Sequence, residues 1–438
     1  MKITDARANV FPNQMNDKDM SSLLTAITKN YATPFYLYDY EILKSTYYNL
    51  RSIFPSQVDI FYSMKANPNL SICTELRRLG ACAEVCSLFE LEAAIKSGFL
   101  ANNIIFVGPA KTREELLACI KFKIYAIVCE SHHEFNLIEK LAKELQVVVP
   151  VALRINPNFI LKTAALKMGG QASQFGIDEE LFFSDPNFFF KQPLIKIIGI
   201  HVYNGTRLLN AHAIIENISN IFHLFARISD LMNLRFEMLD IGGGLGVPYF
   251  ENEHELDLDL LKALLAPIVD QFVRSYPSTR IILESGRFLV AQCGVFVSNI
   301  LDKKISKQRQ FLVTDGGTNC HMAAIGVGSL FKRNFPISLS KASHRGMENE
   351  YCYDIVGPLC TPGDLIGKNV VLPNAEIGDW IVVHCSGAYG PTASPTMFLS
   401  HGFPAEILLK NNQVHLIRSS QKLEDFFFNQ FIVDESFL

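Results

Sequence analysis

From Asp59 onward, short runs of β-branched and apolar residues alternate with longer stretches whose apolar residues recur at helical spacing. The runs are DIFYSMKA (59–66), CAEVCS (82–87), NIIFVGPA (103–110), AIVCES (126–131), VVPVALRINP (148–157), KIIGIHVYNG (196–205), MLDIGGGLG (238–246) and RIILESGRF (280–288). Each is nearly continuous in hydrophobicity, as a strand buried on both faces requires, and most intervals can hold one crossover helix. LSICTELRRL, EELLACIKF, EFNLIEKLAKELQ and IENISNIFHLFARISDLM have the matching helical periodicity. Eight βα units over roughly 230 residues fit an α/β fold of the (β/α)8 TIM-like barrel type. A doubly wound open sheet is the alternative that the same alternation allows.

After about residue 289 the pattern changes to strand-like runs broken by Gly, Pro and Asn: GVFVSNILDKKI, QFLVTDGG, YCYDIVG, NVVLP, DWIVVHC, PAEILLK and VHLIRSS. These predict a mainly antiparallel β domain. The extended run PFYLYDY, ahead of the barrel, is expected to pair with it. The organisation is therefore a barrel over 41–288 and a β domain built from 1–40 and 289–438.

Composition narrows the class. The 438 residues are 49% hydrophobic and 19% charged, with 40 Lys+Arg against 44 Asp+Glu and a net charge of -4. That balance lacks the basic excess expected for nucleic-acid or anionic-membrane binding. Mean hydropathy is +0.16, yet every apolar run is interrupted before the roughly 18 residues of a spanning helix. Ten cysteines without a CxxC pair read as reduced thiols, and the N-terminus has no apolar signal core, so a cytoplasmic protein is expected.

Polar residues gather at the C-terminal ends of the predicted strands, the rim where barrels place active sites: Lys65, Ser87, Arg154, His201, the glycines after Asp240, and Glu284. Lys65 closes an apolar strand, where desolvation would lower its pKa and leave an amine able to form an imine. A strand-end lysine that snorkels to solvent fits it too. Gly242, Gly243, Gly244 and Gly246 allow close backbone approach and a phosphate cradle after the seventh strand, with a helix expected soon after. Glu284 ends the eighth strand beside Gly286 and Arg287; a protonated ring nitrogen or an ion pair with Arg287 would partner it. His201 suits a base, a ligand, a stacking ring or a core histidine. In the β domain, Cys360 sits between Pro358 and Pro362 in a turn that suits a presented thiol, although small apolar filling is the commoner use of a lone cysteine. Tyr389 lies in a Gly-rich loop, where its hydroxyl reaches a phosphate or simply meets solvent.

In this order the segments resemble the fold-type III pyridoxal-phosphate decarboxylases, the group of diaminopimelate, ornithine and arginine decarboxylases, from TPFYLYD (33–39) to PAEIL (404–408). The resemblance implies an alanine racemase-like, group IV decarboxylase architecture, pyridoxal 5'-phosphate as cofactor, no metal, and a homodimer. It makes Lys65 the cofactor-bearing lysine, His201 the stacked ring and Glu284 the pyridine-nitrogen partner. Gly243, Gly244, Gly286, Arg287 through its backbone, and Tyr389 would hold the phosphate, with Arg154 in the cofactor's surroundings. Cys360 would be the acid that reprotonates Cα in the partner subunit's site.

The departures concern substrate. Diaminopimelate decarboxylases carry Glu after the cysteine, whereas Thr361 and Pro362 follow Cys360. Their R-P-x-L-Y segment is replaced by HMAAIGVGSLFKRNFPIS (321–338). TDGGTNCHMAA, FKRNFP, GPLCTPGD and SGAYGPTASPTMFLSHGFPAE resemble instead the subgroup of the butirosin-type carrier-bound glutamyl decarboxylase and exosortase-associated decarboxylases. That resemblance implies decarboxylation of an α-amino acid or amino-acid conjugate, with an acyl-carrier protein as a partner. Lys332 and Arg333 offer a basic pair for an anionic group or for a solvated face. Lysine-forming diaminopimelate decarboxylation, a racemase and a non-catalytic cofactor-binding homologue remain the alternatives.

Overall fold

The computed structural model describes residues 17–161, 166–167, 169–250, 252–325, 333–342 and 349–433. The chain divides into two units, one of Ile42–Ala291 and one that joins the chain up to Glu41 to Gln292 onward.

In the first unit all eight apolar runs are strands: β1 (Val58–Ser63), β2 (Cys82–Val85), β3 (Ile104–Phe106), β4 (Ala126–Cys129), β5 (Val149–Asn156), β6 (Ile195–His201), β7 (Met238–Asp240) and β8 (Arg280–Ser285). They pair in parallel in sequence order, and β8 pairs back to β1, so the sheet closes and the open-sheet alternative falls. Closure removes both sheet edges. Phe61, Ile105, Val128, Ala152, Ile198, Met238 and Ile282 pack in one buried cluster between the strands.

The crossover helices start where short polar side chains cap them. Asn69 Oδ1 accepts from Ser71 N at 3.0 Å, Ser87 Oγ from Glu90 N at 3.2 Å and Thr112 Oγ1 from Glu115 N at 3.2 Å. Each cap satisfies an amide that has no intrahelical partner. Ser87, read above as a rim residue, is thus a cap. The glycine loop does not lead directly into a helix, contrary to expectation; the next helix is Leu258–Ser275, which begins only where Asp257 can cap Leu260 N at 2.9 Å.

The second unit centres on the long strand Gly294–Ser306, which pairs antiparallel with Phe35–Asp39, Arg309–Thr314 and Trp380–Val383. The extended run before the barrel joins this sheet, as anticipated. Two parallel pairs, Phe35–Asp39 with Ala405–Lys410 and Arg309–Thr314 with Glu350–Val356, interrupt the antiparallel pattern. A short strand, Ile337–Ser340, was not anticipated. Among the described residues, no helix is long and apolar enough to cross a membrane.

Candidate active site

Register decides where Lys65 goes. Ser63 of β1 pairs with Glu84 of β2, and the chain then turns through Met64–Ala66. The Lys65 Nζ therefore meets the neighbouring strand's carboxylate and donates to Glu84 Oε1 at 3.1 Å. Cys86 Sγ donates to the same oxygen at 3.0 Å. Glu84 is fully buried, while the Lys65 side chain keeps 40% of its exposure. Burial opposes the charge on Lys65, but Glu84, then Cys86, Glu284 and Tyr203, outweigh it and hold the ammonium well above the usual lysine range. The expected lowering is overturned because a carboxylate lies in contact with the amine.

Across the barrel, register lines up a second group. Arg154 of β5 pairs with His201 of β6, and His201 pairs with Asp240 of β7. Glu284 stands two residues beyond Ile282, the β8 partner of Asp240. His201 Nε2 lies 3.2 Å from Glu284 Oε1. One atom each from His201, Asp240 and Glu284 falls within 4.8 Å of the others, and all three residues are buried. Burial, then the Arg154 guanidinium, pushes the His201 pKa down to about 3, so the imidazole is neutral and donates a hydrogen bond rather than forming an ion pair. Burial raises both carboxyls, Asp240 well above its ordinary value; Glu284 also stays raised, with Lys65 and then Arg154 opposing the rise. Arg154 is fixed by Glu130 Oε1 at 2.9 Å and lies over the Phe175 ring at 4.7 Å.

The glycine loop rests directly on backbone. A Cβ on Gly243 would stand 1.9 Å from the Glu284 carbonyl oxygen, and one on Gly244, whose φ is +95°, 2.2 Å from that of Gly205. Only glycine permits this approach. Glu284 N donates to Gly242 O at 2.8 Å, which ties the loop to β8. Gly286 abuts Ser63 and Ala66, the turn that presents Lys65. Arg287 opens the short helix Arg287–Val290 and donates from Nη1 to Tyr249 Oη at 3.0 Å.

The remaining two residues lie in the second unit. Cys360 is exposed in the turn after Leu359, with Thr361 N donating to Leu359 O at 2.8 Å. Tyr389 is half-buried and has a left-handed backbone, φ +55°. Arg333 is exposed, and Lys332 lies outside the described residues.

Lys65, Arg154, His201, Gly243, Gly244, Glu284, Gly286 and Arg287 thus share the strand C-terminal rim of one barrel. Glu84, Glu130 and Asp240 belong with them but were not picked out as site residues. Their signal was available, since Glu84 and Asp240 are the acidic residues of CAEVCS and of MLD, and Glu130 directly follows AIVC. An acid inside a run that is otherwise buried needs a specific partner.

Three polar atoms of this rim, Glu84 Oε2, His201 Nδ1 and Asp240 Oδ2, are buried without a hydrogen-bond partner among the described residues. Native proteins rarely leave such atoms unsatisfied unless a ligand or water completes them. A planar heterocycle with a cationic nitrogen for the carboxyl cluster, a carbonyl for Lys65 and a phosphate for the glycine loop suits this lining. The fold and site are those of a barrel enzyme dependent on pyridoxal phosphate.

Comparison with known proteins refines the class. Residues 41–291 match the pyridoxal-binding domain of the pyridoxal-dependent decarboxylases, and the chain belongs to that family. It is 38% identical over 417 residues to the L-glutamyl-[BtrI acyl-carrier protein] decarboxylase of Niallia circulans, covering 95% of this chain and 97% of the relative. It is 33% identical to the diaminopimelate decarboxylase of Campylobacter jejuni, covering 94% and 98%. Among solved structures, diaminopimelate decarboxylase of M. jannaschii with L-lysine superposes with a TM-score of 0.86 at 26% identity, covering 94% of each chain. The Helicobacter pylori enzyme with L-lysine gives 0.81 at 28%, covering 92% and 98%. The protein is accordingly a pyridoxal-phosphate-dependent carboxy-lyase acting on an α-amino acid or amino-acid conjugate.

Proposed function

We propose that the substrate is an α-amino acid unit within a larger conjugate, with an aminoacyl group on an acyl-carrier protein as the preferred form. One observation carries this. The carboxylate nearest Cys360 in its turn, Asp364, is buried and already accepts from Leu359 N at 2.8 Å and Thr318 N at 2.6 Å. It is spent on the backbone, and Thr361 and Pro362 supply no replacement, so a free substrate's distal ammonium lacks an anionic receptor there. The similarity to a decarboxylase of a carrier-bound glutamyl group supports the same reading.

When bound, pyridoxal phosphate supplies an electron sink for the pair left at Cα as carbon dioxide departs. The chain's own residues take the remaining roles in this reading. Lys65 Nζ must lose its proton before it acts as a nucleophile, and Glu84 Oε1 is the atom in position to take it. Glu284 keeps a negative charge beside a ring nitrogen, and His201 offers a neutral flat imidazole for stacking. Gly243, Gly244, Gly286, the Arg287 amide and the Tyr389 hydroxyl would hold the phosphate, while Arg154 is fixed by Glu130. Cys360 of the partner subunit delivers a proton from Sγ to Cα. The barrel over 41–288 is then the cofactor domain, and the β domain of 1–40 and 289–438 completes the partner's site in a homodimer. A cytoplasmic location accords with ten cysteines of which, among the described residues, none is disulfide-bonded.

A carbon dioxide release screen tests the substrate reading. Glutamyl and related aminoacyl groups on a carrier protein, their pantetheine thioesters and free diaminopimelate are compared by kcat/KM. Carrier-bound substrates should exceed diaminopimelate by on the order of 100-fold or more, the scale at which a missing polar contact discriminates. Robust lysine formation from diaminopimelate would refute it.

A further inference from the structure

We propose that Asp240 is a positioning residue that stores one proton beside Glu284, so that Glu284 remains the anion that faces a cationic ring nitrogen. The inference rests on the assignment of Glu284 given above, and it concerns a residue with no role so far.

Asp240 ends β7 with no solvent exposure. Its Oδ1 accepts from Gly242 N at 2.8 Å, which starts the glycine loop, while Oδ2 is buried with no donor among the described residues. A carboxylate in that setting would leave half its charge unsolvated, whereas a carboxylic acid has a proton to donate. One oxygen of Glu284 lies within 4.8 Å of one oxygen of Asp240, so the Glu284 carboxylate is the neighbouring group that can take up that proton's hydrogen bond.

Two carboxyls this close in a buried site cannot both ionise, so the pair holds one proton between them. The surrounding charges decide where it rests. Lys65 from the turn after β1, Glu84 from β2, Glu130 at the end of β4, Arg154 from β5 and neutral His201 from β6 face the cluster. Burial raises both carboxyls; at Glu284 it is opposed by Lys65 and then Arg154, whereas at Asp240 it is reinforced by Glu284, with Gly242 N–H and Arg154 opposing, and Asp240 is raised well above the carboxylate range. Glu284 already has His201 Nε2 at 3.2 Å, whereas Asp240 Oδ2 has no donor among the described residues, so the proton rests on Asp240. His201 Nε2–H adds a second hydrogen bond to Glu284, so the same carboxylate is held from β6 and from β7.

Asp240 thereby links the two ends of the cofactor site. The oxygen that accepts from Gly242 shapes the loop on which phosphate would rest, and the one that carries the proton faces the ring-nitrogen acid. Asparagine reproduces both functions of a protonated aspartate, as acceptor for Gly242 and donor to Glu284, but not those of an ionised one.

The test compares wild type, Asp240→Asn, Asp240→Ala and Glu284→Gln. Infrared difference spectra between wild-type and Asp240→Asn apoproteins at neutral pH should show one carboxylic-acid carbonyl band, sensitive to heavy water, that is present in wild type and missing in Asp240→Asn; the band of Glu90, whose pKa burial pushes up to about 7, is common to both and cancels. Pyridoxal phosphate affinity, read by fluorescence quenching, should stay within about threefold of wild type in Asp240→Asn and fall at least tenfold in Asp240→Ala, about 1.4 kcal/mol. A difference spectrum without a carboxylic-acid band, or an affinity loss in Asp240→Asn as severe as in Asp240→Ala, would overturn the proposal. If Asp240→Ala fails to fold, the Asp240→Asn band and affinity still decide. The underlying assignment of Glu284 is checked separately with a cofactor analogue bearing carbon in place of the ring nitrogen. Equal affinity of wild type for the analogue and for pyridoxal phosphate would refute that assignment while leaving the infrared result intact.

Discussion

Lys65 Nζ and Cys86 Sγ donate to one and the same oxygen, Glu84 Oε1, at 3.1 and 3.0 Å. The lysine that the chemistry requires as a free amine is therefore stabilised as an ammonium, and the proton it sheds has an acceptor in contact. Replacing Glu84 by Gln removes the charge that outweighs desolvation. The pH at which Lys65 becomes reactive in the apoprotein, followed by lysine-selective labelling and peptide mapping, should fall by at least about one unit. An unchanged profile would mean that Glu84 does not control this amine.

His201 should not titrate in the physiological range. Its folded pKa of about 3 lies below the ordinary 6.5, so the unfolded chain binds a proton that the native one excludes. The resulting stabilisation is complete above pH 6.5 and is lost as pH falls toward 3. In His201→Asn, the loss of stability over that window, measured by urea unfolding of the apoprotein, should be shallower than in wild type. A histidine resonance assigned to residue 201 that titrates near 6.5 would contradict this.

Gly243 should tolerate no side chain, because the Glu284 carbonyl oxygen occupies the space a Cβ needs. Gly243→Ala is expected to destabilise the protein by about 2 kcal/mol or more and to weaken cofactor binding together with stability. Gly363→Ala is the control, since the nearest atom to its Cβ would be Thr361 Oγ1 at 3.9 Å. Chemical denaturation of both variants distinguishes a specific backbone contact from general intolerance of alanine in loops.

The β strands and the site differ in how readily the sequence discloses them. All eight barrel strands are legible because burial on both faces leaves apolar runs with little else in them, and Lys65, His201 and Glu284 are conspicuous where those runs end. Glu84 and Asp240 were missed for the opposite reason. Glu84 sits within its strand and Asp240 is overshadowed by the glycines that follow it, and the meaning of both depends on a lateral register, Ser63 with Glu84 and His201 with Asp240, that no single segment contains. Asp364 is a similar case: its carboxylate is consumed by Thr318 and Leu359, and only the fold brings Thr318 to it. The raised pKa of Lys65 follows from the same hidden contact. Strand Ile337–Ser340 escaped notice because a four-residue strand with serines carries almost no periodic signal.

Cys360, proposed above as the acid at Cα, is exposed in its turn. Cys360→Ala should lower kcat on the order of 10²- to 10⁴-fold, the usual yield of a positioned proton donor, with cofactor affinity unchanged. Mixed dimers of Cys360→Ala with Lys65→Ala contain one site with both residues intact if the sites are shared. Recovered turnover in a verified heterodimer is the expected result, and its absence would show that each subunit works alone.

The central claim, that this chain carries pyridoxal phosphate covalently on Lys65, is tested most directly by borohydride reduction of the cofactor-loaded protein followed by mass spectrometry of its peptides. A single stoichiometric cofactor adduct on the YSMKANPN segment at Lys65, absent from Lys65→Ala, is expected. An adduct on another lysine, or none after loading, would contradict it.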